Sequence, residues 1–142
     1  MDKETLHKEI DLIQSVITRM ANNSFLLKGW MISIIVAVLA LTKDTLVTND
    51  IEYLSIVLLL PLITFWYLDA FFLHKEKCYR ELYKWVIENR ASSNDDLYSL
   101  DYSRFKEKVE SIGRIMLSKT LRTFYGISFL ILVGISIYNL IN

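Results

Sequence analysis

Three runs of apolar residues constrain this 142-residue chain more than anything else in it. They are SFLLKGWMISIIVAVLALT at 24–42, YLSIVLLLPLITFWYLDAFF at 53–72 and LRTFYGISFLILVGISIYNLI at 121–141. Each is close to the ~20 residues a helix needs to cross the hydrocarbon core of a bilayer. Three buried core helices in so short a chain would leave too little polar surface to cover them. With one Pro and four Gly, no stretch reads as a linker, and no segment has a strand's alternation. The expected fold is therefore all-α: a three-span transmembrane helical protein with a cytoplasmic helical bundle formed by extensions of the spans.

The charges support that division. Hydrophobic residues make up 53% and charged residues 23%, and the two populations are segregated. Charges collect at 2–19, 75–90 and 95–122. The formal net charge is zero, so no bulk basicity points to nucleic acid. Orientation follows from Lys and Arg in the short flanks. The turn at 43–50, KDTLVTND, carries only Lys43, whereas 73–120 carries ten basic residues and nothing basic follows Arg122. The N-terminus and the central segment are expected in the cytoplasm and the C-terminus outside. One integral membrane domain over 1–142 results, with a cytoplasmic amphipathic helix at 1–23 and a cytoplasmic helical hairpin at 73–120. The first apolar run follows about 23 mixed-charge residues and lacks a small-residue cleavage site, so it does not read as a secretory signal.

Helical stripes continue from the spans. Leu6, Ile10, Ile13, Ile17 and Met20 repeat at four-three spacing, a heptad seam. Tyr79, Leu82, Tyr83 and Val86 extend the second span. Phe105, Val109, Ile112 and Met116 form a third stripe that runs into the last span. The stretch ASSNDDLYSLD at 91–101 is the one clear break, and its Ser and Asp residues suit the cap of a third helix. Core packing within one subunit is the simplest use of each stripe.

Several residues within the apolar runs stand out. Asp69 lies in FWYLDAFFL and Lys28 in FLLKGW, each about one turn inside the expected cytoplasmic end of its span. A charge at mid-bilayer costs roughly 2.5–3.5 kcal/mol on insertion scales, so two charges at one depth are expected to form an intramembrane pair. The competing use is Lys28 snorkelling to lipid phosphate while Asp69 faces water. Gly29, Ser33 and Ala37 recur every four residues, a small-residue face for close helix packing in a homo-oligomer. Pro61 removes a backbone donor and predicts a kink or local unwinding. Gly126 and Gly134 thin the third span. Trp30, Trp66, Tyr67, Tyr53 and Tyr138 fall near span ends, where amphipathic rings anchor at the interface.

Nothing in the chain reads as an enzyme. His7 and His74 are isolated, no catalytic constellation or phosphate-cradling loop is present, and no cofactor or metal is expected. The single Cys78 excludes an internal disulfide and a cysteine-built metal site. The remaining chemistry is a basic set, Lys75, Lys77, Arg80, Arg104, Lys106, Lys108 and Arg114, joined by Lys119 and Arg122. These residues could hold an anion such as an oligonucleotide or nucleotide, with base stacking from Tyr79, Tyr83 and Trp85. Interleaved Glu76, Glu81, Glu107 and Glu110 favour instead a self-compensated helix surface.

The strings NNSFLLKGW (22–30) and FWYLDAFFLHKEKCYRELY (65–83) resemble small helical membrane effectors of bacterial anti-phage defence systems, the Hailong-type channel effectors among them. The resemblance implies an oligomeric protein of the bacterial cytoplasmic membrane that perturbs the bilayer during abortive infection. It also implies an oligonucleotide signal made by a nucleotidyltransferase encoded nearby. Two functions are therefore weighed: a channel or pore gated through its cytoplasmic helices by a ligand or partner, and a non-conducting scaffold that recruits a cytoplasmic partner protein.

Overall fold

A computed structural model describes residues 3–41, 51–90, 92 and 97–141. The expected outer turn at 43–50, with Lys43, and most of the loop at 91–96 lie outside the described residues. The chain is built on two helices of 39 residues each, α1 (Lys3–Leu41) and α2 (Ile51–Asn89). A return arm follows: a 3-10 turn (Ser103–Lys108), a short helix α3 (Ile112–Met116) and a final helix α4 (Lys119–Ile141). The described residues contain helices and turns and no strand. Within α1 and α2, the stretches Lys3–Val38 and Val57–Asn89 are long and apolar enough to cross a membrane by length and composition.

Local chemistry explains the length of α1. No Gly or Pro occurs before Gly29, Glu4 sits in the first turn, and Lys8 pairs with Glu4 one turn earlier at 2.7 Å. Asn22, Asn23 and Ser24 suggest a softened junction in the sequence, yet the helix continues through them. Ser24 competes with the backbone only when its hydroxyl turns inward on its own chain. Here that hydroxyl donates to Asp69 on α2. The helix α2 likewise passes Pro61 without a break in helical assignment, so the expected local unwinding is not seen. One turn later, Thr64 Oγ1 donates to the Leu60 carbonyl at 2.9 Å.

The return arm departs most from expectation. Phe105, Val109, Ile112 and Met116 have helical spacing, but one break divides them and a second follows Met116. Val109 leaves the 3-10 turn in extended conformation (φ −109°, ψ 144°). Ser111 then caps α3 by accepting from Arg114 N at 3.4 Å, and α3 stops at Leu117. Two Ser and one Gly within eight residues (Ser111, Gly113, Ser118) restart the backbone twice. The 3-10 turn follows Tyr102 without a side-chain cap, so the expected Ser or Asp cap is not seen there; Asp101 instead closes a local turn, accepting from Ser103 N and Ser103 Oγ, each at 2.8 Å.

Two apolar clusters hold these elements. One joins Met31 of α1, Leu58, Leu62 and Ala70 of α2, Ile115 of α3 and Leu121, Tyr125 and Leu132 of α4. The other lies at the distal end of the α1–α2 pair. There Ile13 packs with Leu82, Val86 and Phe105, flanked by Leu6, Ile10 and Ile17. The heptad seam of α1 is thus used within the chain. Each side chain fully withdrawn from water there contributes about 1.5–3 kcal/mol.

Candidate functional site

The aspartate in the aromatic run FWYLDAFFL lies at the centre of a buried polar knot. Asp69 is fully buried where α1, α2 and α4 converge. Its Oδ2 lies 2.5 Å from Lys28 Nζ and accepts the Tyr125 hydroxyl at 3.0 Å. Its Oδ1 accepts the Ser24 hydroxyl. Lys28 Nζ also donates to Ser24 Oγ at 3.0 Å, and its side chain keeps 22% exposure. Lys28 and Asp69 therefore do meet, as their matching depths suggest. Ser24 and Tyr125 carry no signal in the sequence, because a hydroxyl in an apolar helix is commonplace and needs no partner on another helix.

The knot extends by one ring. Tyr125 stacks on Trp66 with centroids 6.0 Å apart, and Trp66 Nε1 donates to the Met116 carbonyl at 2.9 Å. Trp66 is thus half-buried in the protein interior, in contrast to Trp30 and Tyr67, which are exposed. The side chains of Tyr53 and Tyr138 lie outside the described set. Gly29, Ser33 and Ala37 face outward together, and no heavy atom comes within 4 Å of a Cβ placed on Gly29. Gly134 is equally open, while Gly126 lies against the Arg122 side chain.

A second buried ionic contact lies at the far end of α1 and α2, and sequence reasoning missed it. Arg90 Nε donates to Glu9 Oε2 at 2.7 Å, and its Nη2 donates to Glu9 Oε1, a bidentate pair 2–3% exposed. Glu9 Oε1 also accepts the Tyr98 backbone N–H at 3.3 Å, and the Tyr98 hydroxyl donates to the Thr5 carbonyl at 3.3 Å. To reach α1, the loop holds Tyr98 and Leu100 at φ 62° and 52°. For non-glycine residues that left-handed conformation is costly and persists only where the surroundings impose it.

The basic set divides in three. Lys77, Arg80 and Lys108 line a cleft of about 680 Å³ between α1, α2 and the return arm, together with Gln14, Tyr83, Lys84, Glu81 and Glu110. Its cations are largely compensated. Lys77 pairs with Glu110 and Lys84 with Glu81, each at 2.6 Å, while Arg80 pairs with Glu76 at 2.7 Å. The Lys77 ammonium beside Glu110 holds that carboxyl below its ordinary range. Lys75 and Lys106 lie over the Tyr102 ring at 4.2 and 5.5 Å, and Arg104 over Trp85 at 3.9 Å. Arg114 sits apart on the exposed side of α3, where its charge also lowers the Glu110 pKa.

The aromatics proposed for base stacking are engaged as well. Tyr79 meets Tyr102 at 4.9 Å, Trp85 carries Arg104, and the Tyr83 hydroxyl accepts from Gln14 at 3.2 Å. Nor is His74 isolated. Its Nδ1 lies 3.0 Å from the Glu110 carbonyl and its Nε2 3.6 Å from the buried Cys78 thiol, whose pKa burial pushes up. His7 is exposed on α1. No protein-family model, curated protein or solved structure matches the chain.

Proposed function

We propose that the chain is a three-span protein of the bacterial cytoplasmic membrane that assembles as a homo-oligomeric channel, with the distal halves of α1 and α2 and the return arm controlling conduction. One observation carries the membrane setting: polar atoms on the apolar halves of the helices are satisfied inside the chain, while large apolar side chains face out. Ser33, Thr64 and Ser128 each donate to the carbonyl four residues earlier at 2.9–3.1 Å. Phe25, Trp30, Leu60 and Leu130 are 62–77% exposed. Lipid is the medium that suits such a surface, since it offers no partners to polar groups.

Lys28 and Asp69 are tied to each other within one protomer, so they line no polar conduit there. A pore would form between copies that meet on the Gly29, Ser33 and Ala37 face, closed at rest by apolar side chains. Control by an anionic oligonucleotide, and a role in anti-phage defence, follow from the resemblance of 22–30 and 65–83. The cleft containing Lys77, Arg80 and Lys108 is the place for such a ligand, which would have to displace Glu76 and Glu110. The same compensated surface favours the second reading, a non-conducting scaffold for a cytoplasmic partner.

Recordings from purified protein in planar bilayers decide between the two. Discrete current steps are the expected result. A silent protein that still forms oligomers would move the scaffold ahead. Ser33→Leu should weaken the oligomer, and a wild type found only as monomer in mild detergent would sink the assembly. For topology, cysteines placed at positions 47 and 142 should react from outside and one at 95 from inside.

A further inference from the structure

The three long helices are not equally tied to one another. α1 and α2 run unbroken and are joined by two buried ion pairs, Glu9 with Arg90 at their distal end and Lys28 with Asp69 near the middle of α2. Nineteen positions on α1 and 21 on α2 separate the pairs, about 28–32 Å of helix at 1.5 Å per residue. Ile13 with Leu82 and Val86 fills the interval. Sliding or splaying these helices would strip a buried charge of its partner.

α4 is attached differently. Its approach is broken at 109–111 and again at 117–118. Beside the second break, Trp66 holds the Met116 carbonyl, and one turn and a half into α4 the Tyr125 hydroxyl donates to Asp69. Asp69 has three side-chain partners, and two of them, Ser24 and Lys28, come from α1. If Tyr125 leaves, the carboxylate keeps its counter-ion and one hydroxyl donor. If α1 leaves, the charge is stranded. The contact with α4 is therefore the one the knot can release.

We propose that α1 and α2 form a rigid lever and that α4 is the helix that moves, with the Tyr125–Asp69 bond as latch and the 117–118 break as elbow. The inference deepens the proposed function by naming the moving part, and it rests on that reading for its lipid setting. Coupling then runs from the cytoplasmic return arm through Met116, Trp66 and Tyr125 to the Asp69 knot.

Hydrogen exchange read by mass spectrometry on the full chain in lipid nanodiscs tests the device without requiring current. Tyr125→Phe keeps the ring and its stack on Trp66 and removes one hydroxyl. It should raise exchange over 112–122 about tenfold, the loss expected for one hydrogen bond to a charged group. Exchange over 9–20 and 79–90 should stay at the wild-type rate. Trp66→Phe, which frees the Met116 carbonyl, should accelerate the same segment. Glu9→Gln should do the reverse, raising 9–20 and 79–90 and sparing 112–122. Unchanged exchange over 112–122 in both ring variants, or equal acceleration of 79–90, would overturn the proposal. A protein that shows the expected pattern yet passes no current would remove the channel and keep the latch.

Discussion

Asp69 and Glu9 are both carboxylates withdrawn from solvent, and they are held in opposite ways. Asp69 gathers monodentate partners from two other helices, and its counter-ion Lys28 keeps part of its side chain exposed. Both oxygens of Glu9 are gripped by one edge of a single guanidinium, itself buried, with a backbone N–H completing the shell. A flexible ammonium can leave toward water when its partner is lost. A buried guanidinium cannot. The first site is thus an adjustable node and the second a fixed clamp.

The clamp should respond most strongly to disruption. Removing one partner of a buried pair strands the other, so Glu9→Ala or Arg90→Ala is expected to cost about 3–5 kcal/mol in unfolding followed by circular dichroism. Replacing both, Glu9→Leu with Arg90→Met, should return most of that loss, to within about 1–2 kcal/mol of wild type. Single variants that cost less than about 1 kcal/mol would end the distinction between clamp and node.

The node should show an asymmetry that the clamp lacks. Lys28→Met leaves a fully buried carboxylate with two hydroxyl donors and is expected to cost about 2–3 kcal/mol. Asp69→Asn keeps the shape and frees Lys28 to reach water or lipid phosphate, at about 1 kcal/mol. Equal or reversed costs in the same unfolding assay would break the comparison. The exposed pair between these sites, Lys77 with Glu110, gives the smallest effect. Lys77→Ala should leave the unfolding midpoint within error, while the Glu110 pKa rises toward the ordinary carboxylate value in an NMR titration. Because the folded value is depressed, this contact contributes above the unfolded pKa and is lost as pH falls through the folded one.

The node was half legible in sequence and the clamp was not, for a physical reason. Asp69 and Lys28 stand out because their neighbours are apolar, and equal depth in antiparallel helices brings them together. Glu9 and Arg90 lie among many surface charges, and 81 positions separate them. Only the fold distinguishes them from Lys8 or Glu88, which are exposed. A weak signal did exist: Glu9 lies one residue before Ile10 and four before Ile13, at the edge of the seam. The return arm misled differently. The stripe from Phe105 to Met116 has the right period, but period measures which face is apolar and says nothing of continuity. The capping chemistry of Ser111, with Gly113 two residues on, overrides it. Likewise Pro61 removes one donor, yet the 39-residue helix runs on past it without unwinding.

The unbroken length of α2 has an electrostatic consequence. Its helix carries Arg90 about 31 Å beyond Asp69; in the proposed three-span arrangement, with Asp69 one turn inside the bilayer, about 25 Å of that would lie in the aqueous phase. Surface charge on the lipid decays over about 8 Å at physiological ionic strength. In that arrangement the Glu9–Arg90 end would stand several decay lengths from the headgroups, and Arg114, Lys119 and Arg122 would lie within their reach. Altering the anionic lipid content of the membrane should perturb the start of α4 and leave the distal clamp unaffected, so that one rod samples two separate ionic environments.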